Sequence, residues 1–298
     1  MKRNISFSYK RKFNTLNAVL LVLLVIYAIT VIFSVYFILV TALKDVTDFD
    51  ENFFGVPKLF SLDNIREVLK YDIIRSRFGM RLKPMHFFPH LFLYTVLYSI
   101  GSAFFAALVP CITAYFVAKF NYKFSKFLYA LVVVVIIIPI IGNLPSTYRV
   151  LGTLNLYDSI IGMYITKGNF VNMWFLVFYA AFKSVPNDYM EAAYIDGASE
   201  FRVMTTVMLP LVKNTFFTVF LIFFVDLWND YTTPALFLPS HPTLAYMINS
   251  FANGTETGMT AVPIRMASCA IMILPTLLIF VLFKNKLMGN LTMGGIKG

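Results

Sequence analysis

The chain has 298 residues, 59% of them hydrophobic and 13% charged, with 32 Phe and 17 Tyr. A soluble domain carries about 25% charged residues, and the apolar residues here fall in runs near or above the roughly 20 needed to cross hydrocarbon, which excludes a soluble globular fold. The net charge of +10 reads as basic loops on the cytoplasmic side of a membrane; no basic-aromatic groove pattern points to nucleic acid.

The first predicted span covers 16–43. Lys2, Arg3, Lys10, Arg11 and Lys12 precede it without an acid, which places the N-terminus in the cytoplasm. The apolar run is longer than the 7–15 residues of a signal peptide and ends at Lys44-Asp45, so it reads as a true span. Residues 44–87 are polar, with nearly balanced charge and Gly55, Pro57, Gly79 and Pro84 as breakers. They predict a folded or semi-folded external loop. A second span follows at 88–118, with a kink expected at Pro110. Lys119, Lys123 and Lys126 then form a basic inner loop. The third span is predicted over 127–144, and the semi-apolar stretch 145–169 suits the outer interface. A short fourth span covers 170–182, the fifth 215–238 and the sixth 264–283. Both termini are then cytoplasmic. By this division a tail (1–15) leads to the first span and its external loop (16–87). A core of five spans (88–285) and a second tail (286–298) complete the chain.

Cys111 and Cys269 lie in apolar segments and form neither a disulfide framework nor a metal cluster. His86 and His90 are four apart, but no acidic or Cys ligand stands nearby to complete a metal site; placement at a membrane interface accounts for them.

The segment 187–210 is too long for a simple connector. Ser184-Val185-Pro186 breaks the fourth helix. Residues 187–196 favour a short helix with Asp188 and Glu191 early, where the helix dipole suits acids. Ala192 and Ala193 are small enough for another surface to approach closely. Gly197 is a natural hinge or C-cap. A second short helix, 199–208, is expected to stop at Pro210. The pattern predicts a helix–turn–helix bracket on the cytoplasmic face.

This segment resembles the EAA loop of binding-protein-dependent ABC importer permeases: E-A-A, three residues, G, nine residues, an aliphatic, any residue, then L-P. The match runs through Glu191, Ala192, Ala193, Gly197, Val207, Leu209 and Pro210, extended by Asp196 and Ala198 beside the glycine. The stretch 114–120 (AYFVAKF) resembles the family's second-span exit, Trp228-Asn229-Asp230-Tyr231 its fifth-span element, and the ending at 294–298 (GGIKG) that of the second permease of maltose-type sugar importers. The resemblance covers the chain from about residue 91 to its end. One departure is Asn214, where the family usually has Pro.

The resemblance implies an all-α integral membrane protein with six transmembrane helices and the type I importer fold. It implies a permease subunit that transports a sugar or oligosaccharide without itself being an enzyme. Implied partners are a second homologous permease, two ATP-binding subunits, an extracytoplasmic sugar-binding lipoprotein and the lipid bilayer of a bacterial cell membrane. The chain contains no G-x-x-x-x-G-K-S/T, so it is expected to bind no cofactor, ATP and Mg acting on the ATPase subunits. Glu191, Ala192, Ala193, Asp196, Gly197, Ala198, Leu209 and Pro210 are implied to couple the chain to an ATPase. Trp228, Asn229, Asp230 and Tyr231 line the sugar path on one reading and brace helix ends on another; Asp226, four residues before Asp230, shares its face. An importer of a peptide, amino acid or ion shares the EAA loop. An ion-driven carrier would carry inverted repeats and more intramembrane ionisable groups. A membrane enzyme would need catalytic polar groups clustered near one interface.

Overall fold

The computed structural model describes residues 15–70, 76–77, 80–81, 88–138, 142–253 and 261–291. The basic cluster at 2–12, His86, Pro84 and the 294–298 ending lie outside them.

Helix α1 (Thr15–Ala42) is apolar on every side and almost wholly exposed within the chain. Its 28 residues reach about 42 Å at 1.5 Å per residue, beyond the roughly 30 Å of hydrocarbon. A helix hydrophobic all round needs lipid or another helix about it. Its C-terminal end is locked: Asn64 Nδ2 donates to the carbonyls of Ala42 (3.1 Å) and Lys44 (2.6 Å), and the buried Lys44 ammonium donates to the carbonyls of Asn52 and Phe53. Two short helices, α2 (Val46–Glu51) and α3 (Asp63–Lys70), fold the segment expected as an external loop, and a two-residue antiparallel pair, β1 (Ser76–Arg77) with β2 (Met80–Arg81), follows.

The axle of the molecule is α4 (Phe88–Lys119), 32 residues that run through Pro110 without a break. Small buried residues along it, Ser99, Ser102, Ala103, Ala106 and Ala107, let neighbours approach closely, the usual device where lipid supplies no hydrophobic drive between helices. At Gly101 a Cβ would stand 2.2 Å from the Tyr164 ring, so a larger residue would have to displace that ring from its place on α4. The first half of α4 enters a core cluster with Trp228, Leu244 and Phe251, and the second half enters another with Phe175, Phe178, Phe182 and Met208.

The remaining helices pack about this axle or extend it: α5 (Lys123–Ile137), α6 (Leu144–Thr153), α7 (Ile160–Lys167), α8 (Met173–Ser184), α9 (Asp188–Ile195), α10 (Glu200–Arg202), a π-helical turn (Val203–Met208), α11 (Leu209–Leu211), α12 (Lys213–Trp228), α13 (Thr232–Phe237), α14 (Leu244–Ala252) and α15 (Val262–Leu291). The closest packing is α4 against α12, α8 and α7, and α1 against α15.

Among the described residues the regular structure is therefore helical apart from the short pair. Among the described residues α1 and α4 are each long and apolar enough to cross a membrane, and a third candidate is the pair Glu200–Leu211 and Lys213–Trp228, bent by 75°. The segment expected as one fifth span, 215–238, is two helices, because Asn229, Asp230 and Tyr231 interrupt it between α12 and α13. The third ends at Ile137, short of residue 144. With 12 residues, α8 reaches about 18 Å, and its Phe175, Phe178 and Phe182 are buried in protein rather than offered to lipid.

Candidate functional site

Two places gather the residues singled out in the sequence. The first is the bracket from Asn187 to Leu211. Its first arm, α9, carries Asp188 and Glu191 in the opening turn. The C-terminus closes at Gly197, whose φ is +79°. The Ala198 N–H donates to the Ala193 carbonyl and the Gly197 N–H to the Tyr194 carbonyl, both at 3.0 Å. This is the paired closure that takes up the last carbonyls of a helix through a left-handed residue. A Cβ on Gly197 would meet nothing within 4 Å, so backbone angle and not space demands glycine here.

The second arm runs through α10, the π turn and α11. Pro210 does not stop it as expected; the bend falls at Val212, after α11. Proline instead changes the helix register. It has no N–H to give the carbonyl four residues back, and the ladder widens: the Leu209 N–H reaches the Met204 carbonyl, five residues earlier. The wider turn points Val203, Met204 and Met208 into the core cluster of Phe175, Phe178 and Phe182.

The bracket is thus anchored on one side and open on the other. Met190 is buried, and Ala193, Tyr194, Ala198 and Leu209 pack on the same cluster. Lys119, at the end of α4, donates to the Val185 carbonyl and to Asn187 Oδ1 (2.9 Å), fastening the start of the bracket to the end of the axle. Tyr194 donates to Glu200 Oε2 at 2.7 Å and ties the two arms together. Burial, with the Glu200 carboxylate beside it, pushes the Tyr194 hydroxyl upward, so it stays a donor at neutral pH. On the open side Glu191, Ala192, Asp196, Gly197 and Pro210 are exposed. So are two large apolar side chains, Ile195 at 86% and Phe201 at 71%, which the sequence reading passed over. An isoleucine and a phenylalanine six residues apart in a polar loop were the available signal.

The second place is the interruption between α12 and α13. Trp228 is 2% exposed, and its indole N–H donates to the Met272 carbonyl at 3.3 Å. Asp230 is a junction: its carboxylate accepts from the Tyr98 hydroxyl (2.8 Å) and the Thr233 N–H (2.9 Å) and pairs with Lys167 (3.5 Å). It joins α4, α7 and the start of α13, a role in which the sequence alone could name neither Tyr98 nor Lys167. Asn229 donates to the Val225 carbonyl (2.8 Å) and is exposed, as is Tyr231 at 47%. Beside them a cavity of about 510 Å³ is lined by Lys167, Trp174, Phe223, Asp226 and Asp230. Asp226 is exposed on its rim. It lies 13 residues after Lys213, about 20 Å along the helix. A carboxylate at that depth must face protein or water rather than lipid.

Comparison with known proteins gives one family. Residues 106–287 match the family described as "Binding-protein-dependent transport system inner membrane component". The chain is 26% identical over 266 residues to a probable starch degradation products transport system permease protein of Thermoanaerobacterium thermosulfurigenes, covering 88% of this chain and 90% of that one. It is 25% identical over 270 residues to a melibiose/raffinose/stachyose import permease protein of Bacillus subtilis, covering 88% and 90%. Among solved structures, a chain from the crystal structure of a bacterial ABC transporter involved in the import of the acidic polysaccharide alginate superposes with a TM-score of 0.77 at 17% identity, over 93% of this chain and 98% of that chain.

Proposed function

The chain belongs to the family of binding-protein-dependent transport system inner membrane components, and from that premise we propose that it is one of two permease subunits of an ATP-driven importer for a sugar or oligosaccharide. Its relatives support a sugar over another solute, since they are named for the transport of starch degradation products and for the import of melibiose, raffinose and stachyose. As in the family, ATP hydrolysis falls to separate subunits; this chain contributes the path. Six membrane crossings, with both termini and the bracket on the cytoplasmic side, follow from the same reading. So do a second permease, a pair of ATPase subunits and an extracytoplasmic binding protein, with no cofactor on this chain.

The observation that carries the proposal is the two-sided character of the bracket. Its inner side is tied to α4, α8 and α12 through Met190, Lys119 and the π turn. Its outer side offers Ile195, Phe201, Ala192 and Glu191 to solvent. A helix fixed on one face and unpartnered on the other can receive a force and pass it on. Docked in an ATPase cleft, α9 moves when ATP closes the ATPase pair, and the rigid link through Lys119 and the buried methionines carries that motion into α4 and α12. ATP drives transport by favouring one arrangement of the spans over the other. Glu191 supplies a charged contact at the rim, Ala192 the close approach, and Gly197 with Asp196 and Ala198 fixes the end of the lever.

In the path, Asn229, Tyr231 and Asp226 are the exposed groups and Trp174 lines the cavity beside Asp226, while Trp228 and Asp230 hold the broken helix in shape. Carboxylate, amide and aromatic groups suit a ligand of hydroxyls and apolar ring faces.

The test is association. Ile195→Glu and Phe201→Glu change side chains that the fold leaves in solvent, so the chain should still insert and fold. Each places a charge where an apolar contact with the ATPase is expected, and should weaken co-purification with that subunit about tenfold or more, the scale of an interface hot spot. Wild-type recovery of the ATPase by both variants would remove the bracket from the interface.

A further inference from the structure

We infer that the concavity between the end of α4, the start of α5 and the end of α8 is a binding site for the phosphate headgroup of an anionic membrane lipid. The hollow holds about 610 Å³, and Lys119, Lys126 and Lys183 converge on it with Asn121, Tyr129 and Tyr179. Among the described residues lining it there is no Asp or Glu. The ion pairs found among the described residues, Lys58–Glu51, Arg66–Asp63, Lys167–Asp230 and His241–Asp158, involve none of the three lysines.

Among the described residues no carboxylate pairs with their charge. Lys119 donates to a carbonyl and to an amide oxygen, both neutral. Lys183 lies over the Tyr179 ring at 5.7 Å from its centre and repels Lys119. Like charges gathered around one hollow favour an anion with several acceptor oxygens, and lysine ammonium groups serve phosphate as point charges. A phosphodiester supplies both the charge and the acceptors.

The surroundings select a lipid over a soluble anion. Helix α5, which carries Lys126 and Tyr129, exposes Phe124, Phe127, Val134, Ile136 and Ile137 along its length. Tyr122 is exposed beside its first turn, the level at which aromatic residues mark a membrane interface. An acyl chain can lie on α5 while its headgroup enters the hollow. Basic pockets between membrane helices on the cytoplasmic side suit such headgroups. The cytoplasmic assignment rests on the function proposed above; the hollow itself requires only that the chain lies in a bilayer. Its edge at Val185, Pro186 and Asn187 is the start of the bracket, so a bound headgroup stiffens the joint from which α9 departs.

The test uses the full-length chain in detergent, mixed with phosphatidylglycerol and phosphatidylcholine in equal amounts, with retained lipid counted by native mass spectrometry. Wild type should retain phosphatidylglycerol selectively. Lys126→Gln with Lys183→Gln, both exposed, should lower that retention about fivefold per lysine, roughly twenty- to thirtyfold together. Lys126→Arg with Lys183→Arg should keep most of it. Lys70→Gln with Lys213→Gln removes equal charge from exposed positions elsewhere and should retain the lipid as wild type does. Equal loss in this control, or undiminished retention in the Gln pair of the hollow, overturns the site. Uptake of inorganic phosphate by the lipid-free chain, sensitive to the same two lysines and without selective lipid retention, overturns the lipid in favour of a soluble anion.

Discussion

Replacing Gly197 tests the bracket at the point where its geometry is most constrained. The φ of +79° lies in the left-handed region, where a Cβ meets its own backbone at a cost of about 1–2 kcal/mol. No neighbour within 4 Å adds to that, so the whole penalty of Gly197→Ala is conformational. It falls on the two closing bonds, Ala198 N–H to Ala193 and Gly197 N–H to Tyr194. A penalty of about 1–2 kcal/mol lowers the occupancy of the closed turn roughly five- to thirtyfold. Hydrogen exchange at the amides of residues 197 and 198 should accelerate by that factor if they exchange by local opening. Gly197→Asn should lose much less, because asparagine tolerates the left-handed region. In the assembled importer the same order, glycine above asparagine above alanine, should appear in sugar-dependent ATP hydrolysis. Unchanged exchange in the alanine variant would refute the strain argument. An asparagine variant as impaired as alanine would also refute it, by showing that bulk rather than backbone angle is refused there.

Two further substitutions probe the supports of the fold. Tyr98→Phe removes a buried hydroxyl that donates to the Asp230 carboxylate; a hydrogen bond to a charged group is worth about 1.5–3 kcal/mol, and thermal unfolding in detergent should drop accordingly. Asp230→Ala should drop it further, since Lys167 and Thr233 lose their acceptor as well; a Tyr98→Phe chain as stable as wild type would contradict the brace. Pro210→Ala restores the missing N–H, so the π turn at 203–208 should tighten to α register. Residues N-terminal to the turn would then rotate by roughly 100°, one residue's turn of an α-helix. Although alanine is the better helix former by about 3 kcal/mol, coupling should fall because α9 and its exposed face are re-aimed; a more stable variant with full coupling would show that the π turn is incidental.

How much of this was legible in the sequence follows from what each feature depends on. Length and apolarity depend only on local composition, so α1 and α4 stand close to where the runs predict them. The bracket depends on spacing within some 20 residues, and Gly197 takes the positive φ that a glycine between two short helices suggests. The break between α12 and α13 does not show in hydropathy, because Trp228 and Tyr231 keep the run aromatic through the polar pair. What opens the helix there is Asp230, held by Tyr98, which is 132 residues away in the chain. The effect of Pro210 was misplaced for a related reason. A proline removes one bond, but whether the helix stops or widens is decided by what the widened turn can bury, here Met204 and Met208 in a core built from α4 and α8. The lysine hollow likewise joins the ends of three helices, and nothing local to any of the three lysines announces the other two.

The measurement that tests the central claim most directly is ATP hydrolysis by the assembled importer in proteoliposomes. This chain would be reconstituted with its partner permease, ATPase subunits and binding protein, and wild type compared with Glu191→Ala. The account predicts that sugar-loaded binding protein stimulates hydrolysis by the wild-type assembly, and that the exposed Glu191, once truncated, leaves an assembly that couples poorly or forms poorly. Sugar transport by this chain alone, or full stimulation in the Glu191→Ala assembly, would contradict it.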